Sequence, residues 1–403
     1  MPVVAPARYH TAPPRKKRRP YGRVALLVVA VAGVVNYTRP LPGPTVSWQL
    51  QTPKAETVQL AWPEDSTQAA VAAQGYGLLG TAGDSKPLAT ASMAKVLLAL
   101  CVLQKQPLQP GTSGPTYTIG PADVANYDTE VSQGGSLLAV TLGDKLTEYE
   151  ALQALMLPSA NNIADSLATW VFGSHADYAT YATAWLQQHG MNDTHIGIDA
   201  SGFDASTTST ASDLTTLGLL ALKNSVLMQI AGQRSAYIAG FGTVYNYDTI
   251  LGVDGITGLK TGNNDANPGA FLFTSTARIG TQDIPLTGTV MGASSLDSAL
   301  HGAVQLNDSL QRQFEQITVT TPGQKVGSMH TAWGARADIV ADKLELVRWK
   351  ATAVSQTHRL DTAKRSGTIG SLRVSAGPNH AQTELKLGTA VTGPTFWWRL
   401  TRH

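Results

Sequence analysis

The sequence predicts an α+β protein in which strands lie at both ends of a helical middle and a small all-β domain follows. Long apolar runs between Ser92 and Lys223 are typical of helices. Short runs typical of strands flank them, around residues 58–80 and from Tyr237 to Val290. After Glu315 apolar and polar residues alternate, and this period of two indicates half-buried strands.

The N-terminus has the pattern of an export signal. A basic cluster from Arg15 to Arg19, followed by Arg23, comes before an uncharged apolar run from Val24 to Val35. The run is shorter than the roughly 20 residues of a spanning helix, but it fits a signal-peptide core with a candidate cleavage site at residues 30–32. A short uncleaved anchor is the alternative. We expect residues 1–23 to be cytoplasmic, residues 24–37 to be a signal or anchor segment, and the body to be secreted or attached to the membrane.

Residues 38–57 contain several prolines and few periodic apolar positions, so we interpret them as a tether to a folded body. The body begins near Val58. Its first segments, 59–63 and 68–80, are typical of strands that break at Pro63 and around Gly80.

Four segments of the body have the pattern of helices. The first begins near Ser92, where MAKVLLALCVLQK is apolar on most of its circumference and contains no proline. The second begins at Thr147, because Thr147 and Glu150 have the spacing of a capping box ahead of the apolar run ALQALML. Two further helices are predicted over 161–170 and 212–223.

The alternation of apolar and polar residues in the C-terminal part of the chain predicts a separate domain. The segments ITVT, KLELV, SLRV and TELKL alternate in hydrophobicity and are separated by glycine, proline and polar residues. We expect an all-β domain over residues 318–403. Directly before His403, the last residue, lies the aromatic and basic segment FWWRLTR, from Phe396 to Arg402. We interpret these aromatic residues as closing the small β core, and a membrane contact is the alternative.

Composition and charge exclude several classes of function. The formal net charge is +2 over 403 residues, and much of the positive charge lies before residue 24, so nucleic acid is not an expected partner. The single cysteine, Cys101, excludes an internal disulfide and a cysteine-rich metal site. It lies in the apolar run VLLALCVL, so we predict a buried structural thiol. The chain has neither a G-x-S-x-G nor an H-E-x-x-H motif.

The stretch GITGLKTG, from Gly255 to Gly262, resembles a nucleotide-binding loop at first sight. Such a loop needs a glycine directly before the lysine, so that the backbone can curl around phosphate oxygens. Leu259 stands at that position, and its branched side chain would block the approach. Lys260 therefore needs another explanation.

Ser92 and Lys95 form the only Ser-x-x-Lys pattern in the chain. Residues three apart in the first turn of a helix share a face, so the hydroxyl and the amine can meet. A serine hydroxyl is a weak nucleophile until a base takes its proton, and lysine can be that base when burial or a nearby cation lowers its pKa. The helix N-terminus also offers N–H groups to developing negative charge. Alone the pattern is weak evidence, because chance produces it in many chains of this length.

Two further motifs strengthen the evidence. Ser159-Ala160-Asn161 lies between two predicted helices, and Lys260-Thr261-Gly262 lies at the end of a predicted strand. In this order the three motifs resemble the active-site set of the penicillin-binding proteins and serine β-lactamases. The stretches PLATASMAK, LMLPSANNIADSLA and VDGITGLKTG look most like the low-molecular-mass D-alanyl-D-alanine carboxypeptidases of the S11 peptidase type. The resemblance covers residues 58–315, and residues 318–403 resemble that family's C-terminal domain.

The resemblance implies a fold and an activity. The fold is a β-lactamase/DD-peptidase-like domain, an antiparallel sheet flanked by helices with a helical lobe beside it, followed by the small all-β domain. The activity is that of a serine D-Ala-D-Ala carboxypeptidase, which removes the terminal D-alanine from peptidoglycan stem peptides and binds β-lactams as covalent inhibitors. Such an enzyme acts in the cell wall outside the cytoplasm and needs no metal or organic cofactor.

Carried over residue by residue, the resemblance implies four catalytic side chains. Ser92 would attack the carbonyl between the two D-alanines, and Lys95 would be its base. Ser159 would relay a proton to the leaving amine. Asn161 would hold the substrate amide and orient Lys95.

The resemblance also implies residues that bind the substrate. Lys260 and Thr261 would bind the terminal carboxylate of D-Ala-D-Ala. Gly262 would let the strand edge come close to the peptide. The backbone N–H groups of Asn263 and of the nucleophile Ser92 would form the oxyanion hole.

Two departures from the family pattern concern substrate preference. Asn264 stands where the family usually has threonine, and an arginine of the following strand is replaced near Pro285. A class A β-lactamase is disfavoured, because the chain has no glutamate between Ala151 and Phe314 that could activate the deacylating water. A DD-endopeptidase or transpeptidase that uses the same residues, and a catalytically silent wall-binding scaffold, stay open as alternatives.

Overall fold

The computed structural model describes residues 1–7 and 21–402, so the basic cluster from Arg15 to Arg19 lies outside the described residues. Most α-helices of the described part lie in the middle of the chain. In chain order they are α1 Tyr21–Thr38, α2 Ala94–Lys105, α3 Pro121–Gln133, α4 Glu148–Met156, α5 Asn161–Phe172, α6 His175–Gln188, α7 Ala211–Ala221, α8 Ser225–Ala231, α9 Leu296–Gln311 and α10 Phe396–Thr401.

The strands lie on both sides of this helical middle. In chain order they are β1 Thr45–Trp48, β2 Gln68–Ala73, β3 Gly77–Gly83, β4 Leu88–Ala89, β5 Thr116–Thr118, β6 Lys145–Thr147, β7 Thr208–Ser209, β8 Ser235–Ile238, β9 Gly242–Tyr245, β10 Ile256–Asn264, β11 Asn267–Ile279, β12 Gln282–Ala293, β13 Phe314–Thr320, β14 Gln324–His330, β15 Arg336–Ala341, β16 Leu344–Trp349, β17 Ser355–Leu360, β18 Thr368–Ala376 and β19 Asn379–Leu387. The predicted α+β class is confirmed.

A five-stranded antiparallel sheet with the order β10-β11-β12-β2-β3 forms the centre of the molecule. Its side chains alternate between two apolar cores. Phe271 and Phe273 pack towards α9 on one face, while Leu272 lies in the core of the helical lobe on the other face. Because both faces are covered, β11 is buried along most of its length. This arrangement leaves β10 as an edge strand.

The helical lobe lies beside the sheet and surrounds α2. Ten residues of α2 are buried, and they include Cys101, whose side chain has no solvent exposure. Burial raises the pKa of the Cys101 thiol far above its ordinary value. The prediction of a buried structural thiol is therefore confirmed. α2 is thus fixed in the lobe by packing along nearly its whole length.

The N-terminus of α4 has the predicted capping box. Thr147 Oγ1 accepts a hydrogen bond from the Glu150 backbone N–H at 3.3 Å. In return, Glu150 Oε2 accepts one from the Thr147 backbone N–H at 2.9 Å. Both groups would otherwise be unpaired donors at the helix start. The cap fixes where α4 begins, and α4 leads directly to the turn before α5.

The C-terminal part contains a six-stranded antiparallel sheet with the order β1-β14-β15-β19-β18-β17, and a β13–β16 pair. Its core is separate from the other two and includes Val326, Ile339 and Leu372, all without solvent exposure. All four segments predicted as strands here lie in β13, β16, β18 and β19. The sheet has four further strands, β1, β14, β15 and β17, that sequence patterns did not indicate.

The segment 38–57 differs from the expected free tether. β1 pairs with β14 as an edge strand, and Leu50 is buried in the C-terminal core. The reason is local alternation within TVSW, because Val46 and Trp48 both pack on that core. Further along, Glu56 pairs with the buried Arg348. Residues 45–57 are therefore part of the folded structure.

Two other sequence interpretations are corrected. Residues 59–63 form no strand. The terminal aromatic segment does not close the β core, because Phe396 to Thr401 forms α10, in which Phe396 and Trp397 are 59% and 72% exposed. Thr395 caps this helix by accepting a hydrogen bond from the Trp398 backbone N–H at 3.2 Å. A capped start and an exposed aromatic face are typical of a separate surface helix.

The helix α1 is longer than the apolar run predicted from the sequence. It has 18 residues, none of them buried, and within the described part of the chain it is the one straight helix long and apolar enough to cross a membrane. α10 packs beside its C-terminal end. Asn36 Nδ2 donates to the carbonyls of Leu400 and Arg402, and Arg402 Nε donates to the Asn36 carbonyl at 3.0 Å. α1 and the C-terminal helix α10 thus cap each other's last helical turn.

Candidate active site

Ser92 lies in a short 3₁₀-helix, Ala91–Met93, that leads directly into α2. Ala91 has a φ of 47°, which is unfavourable for a residue with a side chain. This turn sets Ser92 at the start of α2, where it is half-buried, while Lys95 is fully buried one turn later. The sequence thus produces the juxtaposition that the Ser-x-x-Lys spacing predicts.

Three oxygen atoms surround the amine of Lys95. Nζ lies 2.9 Å from Ser92 Oγ and 2.8 Å from Asn161 Oδ1, and it donates to the backbone carbonyl of Ser201 at 3.1 Å. These contacts come from α2, from the first residue of α5 and from the loop that follows α6. With this number of partners the amine has a fixed position.

The protonation of Lys95 is set by competing effects. Burial lowers its pKa from 10.5 to about 7, because the interior disfavours the charged form. The carboxylates of Asp199, Glu130 and Asp165 act in the opposite direction and favour the ammonium. A lysine with this pKa is neutral in a large fraction of molecules at neutral pH and can then take a proton from Ser92.

Ser159 lies in the turn between α4 and α5. Its φ of 63° is in the left-handed region, and its side chain is only 3% exposed. Among the described residues no group makes a hydrogen bond with its Oγ. A buried hydroxyl without a partner is uncommon in a stable protein. The strained turn therefore holds a polar group that is free to bind a ligand or a reacting atom.

Lys260, Thr261 and Gly262 lie in the middle of β10, the edge strand of the sheet. Lys260 is 2% exposed, and its Nζ donates to the Thr261 carbonyl at 3.2 Å. Burial lowers the pKa of Lys260 well below its usual range, the nearby Lys95 lowers it further, and Asp248 opposes both effects. The two lysines are thus close enough to influence each other's charge.

Gly262 lies against the turn that carries the nucleophile candidate. A Cβ at Gly262 would lie 3.2 Å from the Thr90 carbonyl and 3.3 Å from the Ala91 Cβ. The glycine allows β10 to approach residues 90–93 closely. The close approach observed here is therefore between two parts of this chain, whereas the family resemblance implies one between the strand and a peptide.

The residues after Gly262 form the turn into β11. The register of the β10–β11 pairing shifts between Gly262 and Asn264, so Asn263 lies at an irregularity and is exposed. Asn264 fixes the turn, because its Nδ2 donates to the Phe203 carbonyl at 3.1 Å and its Oδ1 accepts from the Asn267 N–H at 2.8 Å. The residue that departs from the family pattern thus joins the turn to the loop after α6.

A cleft of about 1050 Å³ opens beside these motifs. Its walls are the C-terminal end of α3, the loop 198–205 and the turn 263–268. A cleft of this size accommodates an extended peptide. Next to this cleft, Ser92, Lys95 and Asn161 are in direct contact. Lys260 lies nearby on strand β10, close enough for its charge to interact with that of Lys95.

Several residues around Lys95 were not found from the sequence. Ser201 contributes a backbone carbonyl, which no motif can indicate. Asp199 and Asp165 lie outside the three motifs, although Asp165 follows Asn161 by one helical turn and a search for charged neighbours on α5 could have found it. Glu130 accepts a hydrogen bond from Asn161 Nδ2 at 2.8 Å, from a helix that no pattern connected to the site.

Comparison with known proteins identifies the family. The family model described as D-alanyl-D-alanine carboxypeptidase matches residues 69–295, which is more than half of the chain. The chain belongs to the D-alanyl-D-alanine carboxypeptidase family. The matched residues contain all three motifs, and the resemblance recognised in the sequence is confirmed.

Curated members of this family match the same part of the chain. The D-alanyl-D-alanine carboxypeptidase DacD of Salmonella typhimurium is 25% identical over 241 residues, which are 56% of this chain and 59% of that protein. DacD of Escherichia coli is 25% identical over 232 residues, 55% of this chain and 56% of that protein. The chain thus spans less than two thirds of the length of either relative.

Solved structures show the same fold. The DD-transpeptidase from Streptomyces is 22% identical and covers 64% of this chain, and 98% of its own chain matches with a TM-score of 0.54. DacD from Francisella tularensis is 15% identical and covers 86% of this chain, and 97% of its own chain matches with a TM-score of 0.56. The predicted fold, a DD-peptidase domain followed by an all-β region, is confirmed.

Proposed function

We propose that this protein is a serine D-Ala-D-Ala carboxypeptidase that removes the terminal D-alanine from peptidoglycan stem peptides. The observation that carries the proposal is the position of Lys95, whose buried amine lies 2.9 Å from Ser92 Oγ and 2.8 Å from Asn161 Oδ1. Family membership and the DD-peptidase fold support it. The boundaries 58–315 and 318–403 are proposed for the catalytic and C-terminal domains, with β1 added to the C-terminal domain as an edge strand.

Acylation begins at Ser92. Neutral Lys95 takes the hydroxyl proton as Ser92 Oγ attacks the carbonyl carbon between the two D-alanines, so that a C–O bond forms and negative charge develops on the carbonyl oxygen. The backbone N–H groups of Ser92 and Asn263 receive this charge, and each such donor contributes about 3 kcal/mol. Asn161 keeps Lys95 in place through its carbonyl oxygen.

The leaving amine needs a proton as the C–N bond breaks. Ser159 Oγ is buried and has no hydrogen-bond partner within the described residues, so it can pass the proton from Lys95 to the amine nitrogen. D-alanine then leaves with its proton, and the rest of the peptide stays bound to Ser92 as an ester. Water hydrolyses this ester, which returns the proton to Ser92. A β-lactam opens its ring by the same attack and remains as a covalent inhibitor.

The substrate binds along β10. As an edge strand, β10 offers N–H and C=O groups on its open side to an extended peptide. The terminal carboxylate lies at Lys260 and Thr261, where a nearby negative charge favours the ammonium form of Lys260 against the cost of burial. Gly262 keeps the strand close to the nucleophile turn.

We also propose that the protein acts outside the cytoplasm and is held at the membrane by α1. The observations in favour of a membrane helix are its length and apolar composition with none of its residues buried, and its C-terminal end contacts α10. Besides the bonds between Asn36 and Arg402, the ring of Tyr37 lies 5.6 Å from that of Phe396, and the Arg399 guanidinium lies 5.3 Å from the Tyr37 ring. Cleavage at residues 30–32 would remove most of α1 and leave only its C-terminal residues with these contacts. The mass of the exported protein therefore tests the proposal, because a retained helix predicts a mass that includes α1.

The test of the activity is D-alanine release from a peptide that ends in Lys-D-Ala-D-Ala. The full chain in detergent is compared with Ser92→Ala, with and without glycine as an acceptor. Release by the parent alone supports the carboxypeptidase. Transfer to glycine in place of hydrolysis supports a transpeptidase, and a folded parent that does neither supports the silent scaffold.

A further inference from the structure

One buried carboxylate beside the site has no role in the reaction as described. Glu130, in the last turn of α3, is 8% exposed, and its Oε2 accepts a hydrogen bond from Asn161 Nδ2 at 2.8 Å. The other end of the same amide, Asn161 Oδ1, lies 2.8 Å from Lys95 Nζ. The amide therefore connects a carboxylate on α3 to the lysine on α2.

The chemistry of these groups fixes the orientation of the amide. An ionised carboxylate only accepts hydrogen bonds, so Glu130 can pair with the NH₂ end of Asn161 and not with its carbonyl. If the amide were reversed, Asn161 Oδ1 would face the Glu130 carboxylate, and both groups are acceptors. Asn161 Nδ2 would then face Lys95 Nζ, and both groups are donors whenever Lys95 is an ammonium. The backbone N–H of Asn161 is already bound to the Ser136 carbonyl at 2.7 Å, so rotation of the side chain is the remaining freedom.

We propose that Glu130 is a positioning residue that holds the amide of Asn161 with its carbonyl towards Lys95, and through it holds Lys95 within reach of Ser92. The proposal rests on the proposed function for its kinetic readout. It connects α3, which carries none of the three motifs, to Lys95 through the amide of Asn161.

The backbone next to Glu130 is shaped for this contact. A Cβ at Gly135 would overlap Glu130 Oε2 and lie 2.7 Å from Asn161 Nδ2. The Gly135 N–H also donates to the Glu130 carbonyl at 3.0 Å, which closes the end of α3. A residue with a side chain at position 135 would therefore separate the carboxylate from the amide.

Glu130 also acts on Lys95 through its charge. The charged groups that influence Lys95 are the carboxylates of Asp199, Glu130 and Asp165, which raise its pKa, and Lys260, whose charge interacts unfavourably with it. Removal of the Glu130 carboxylate therefore lowers the pKa of Lys95. Because neutral Lys95 is the active form, the acid limb of the kcat/KM profile moves to lower pH.

The experiment compares Glu130→Ala and Glu130→Gln with the parent and with Asp128→Ala, which removes an exposed carboxylate from the same helix. We expect Glu130→Ala to lower kcat by at least about tenfold, because the base is no longer held in place, with a smaller change in KM. Glutamine keeps an acceptor for Asn161 but no longer excludes the reversed amide, so Glu130→Gln recovers part of kcat. Both variants shift the acid limb to lower pH, and Asp128→Ala behaves like the parent.

A purely structural role for Glu130 predicts a different result. The variants would then have a lower melting temperature while folded molecules keep the parent's kcat and pH profile, and this outcome would overturn the proposal. If the parent itself releases no D-alanine, the proposed function is wrong. The role of Glu130 is then decided by the pH dependence of Ser92 acylation by benzylpenicillin, measured on the same four proteins.

Discussion

Lys95 Nζ lies 2.9 Å from Ser92 Oγ, with no solvent exposure of the lysine side chain. Burial lowers the pKa of Lys95 to about 7, and the ammonium cannot take the serine proton. We therefore predict that the second-order rate of Ser92 acylation by benzylpenicillin rises with pH and reaches half its maximum at a pH of about 7. Stopped-flow measurements between about pH 5 and about pH 9 check this. A rate that does not depend on pH in this range would show that Lys95 is not the base.

Removal of the Ser159 hydroxyl should slow acylation without changing the stability of the protein. Ser159 Oγ makes no hydrogen bond within the described residues, so Ser159→Ala loses no bond on folding. We expect acylation to fall on the order of 100-fold, because a proton transfer is lost, with the free energy of unfolding changed by less than about 0.5 kcal/mol.

Ser166→Ala is the matched control for Ser159→Ala. The Ser166 hydroxyl is also buried but donates to Asp123 at 2.5 Å. This change should cost about 1–3 kcal/mol of stability and leave the acylation rate of the folded protein unchanged. A large loss of stability in Ser159→Ala, with normal acylation, would contradict the role proposed for its hydroxyl.

Gly262 should be needed for the position of the nucleophile. In Gly262→Ala the new Cβ would press on Thr90 and Ala91, so the turn that carries Ser92 must shift by a few tenths of an ångström. We expect about a tenfold slower acylation, because the alignment of Ser92 changes. Gly393→Ala is the control, since a Cβ there meets no atom within 4 Å. Equal rates in both variants would argue against this coupling between β10 and the nucleophile turn.

The buried carboxyl of Glu148, at the start of α4, should make the free energy of unfolding depend on pH. It has no solvent exposure, and neither carboxylate oxygen has a hydrogen-bond partner among the described residues. Burial raises its pKa from 4.5 to about 7, so the folded protein binds a proton that the unfolded chain has already lost. Stability therefore falls as the pH rises from about 4.5 to about 7, by on the order of 3 kcal/mol from this group.

Glu148→Gln removes this proton and its pH dependence. Urea unfolding of the parent and the variant at about pH 4 and about pH 8 measures the difference, and the variant should be relatively more stable at the higher pH. Asp165 and Asp248 also have raised pKa values, but they are present in both proteins and do not affect the comparison. An identical pH dependence in the two proteins would contradict the raised pKa.

Much of the site could be predicted from the sequence because its motifs are local. Ser92 and Lys95 are three residues apart at the start of one helix, so their spacing alone brings them together. Asn161 and Lys260 were found through the order of motifs in a family. Glu130 carries no such signal, because its contact with Asn161 depends on how α3 packs against α5.

The parts of the fold that were predicted wrongly depend on distant partners. β1 looks like a proline-rich linker, and it becomes a strand because it pairs with β14, which lies more than 270 residues away in the chain. The aromatic residues of α10 have the size and hydrophobicity to pack in a small core. The core of the C-terminal sheet, however, is already occupied by other residues, among them Val326, Ile339 and Leu372. The segment therefore forms a helix against α1.

The central claim is that Ser92 is the residue that becomes acylated. The most direct test is mass spectrometry of the full-length protein after reaction with benzylpenicillin, followed by proteolysis and mapping of the modified peptide. We predict one penicilloyl group, on the peptide that contains Ser92 and Lys95, and no modification of the folded Ser92→Ala variant. An adduct on a different residue, or no adduct on a folded parent, would contradict the account.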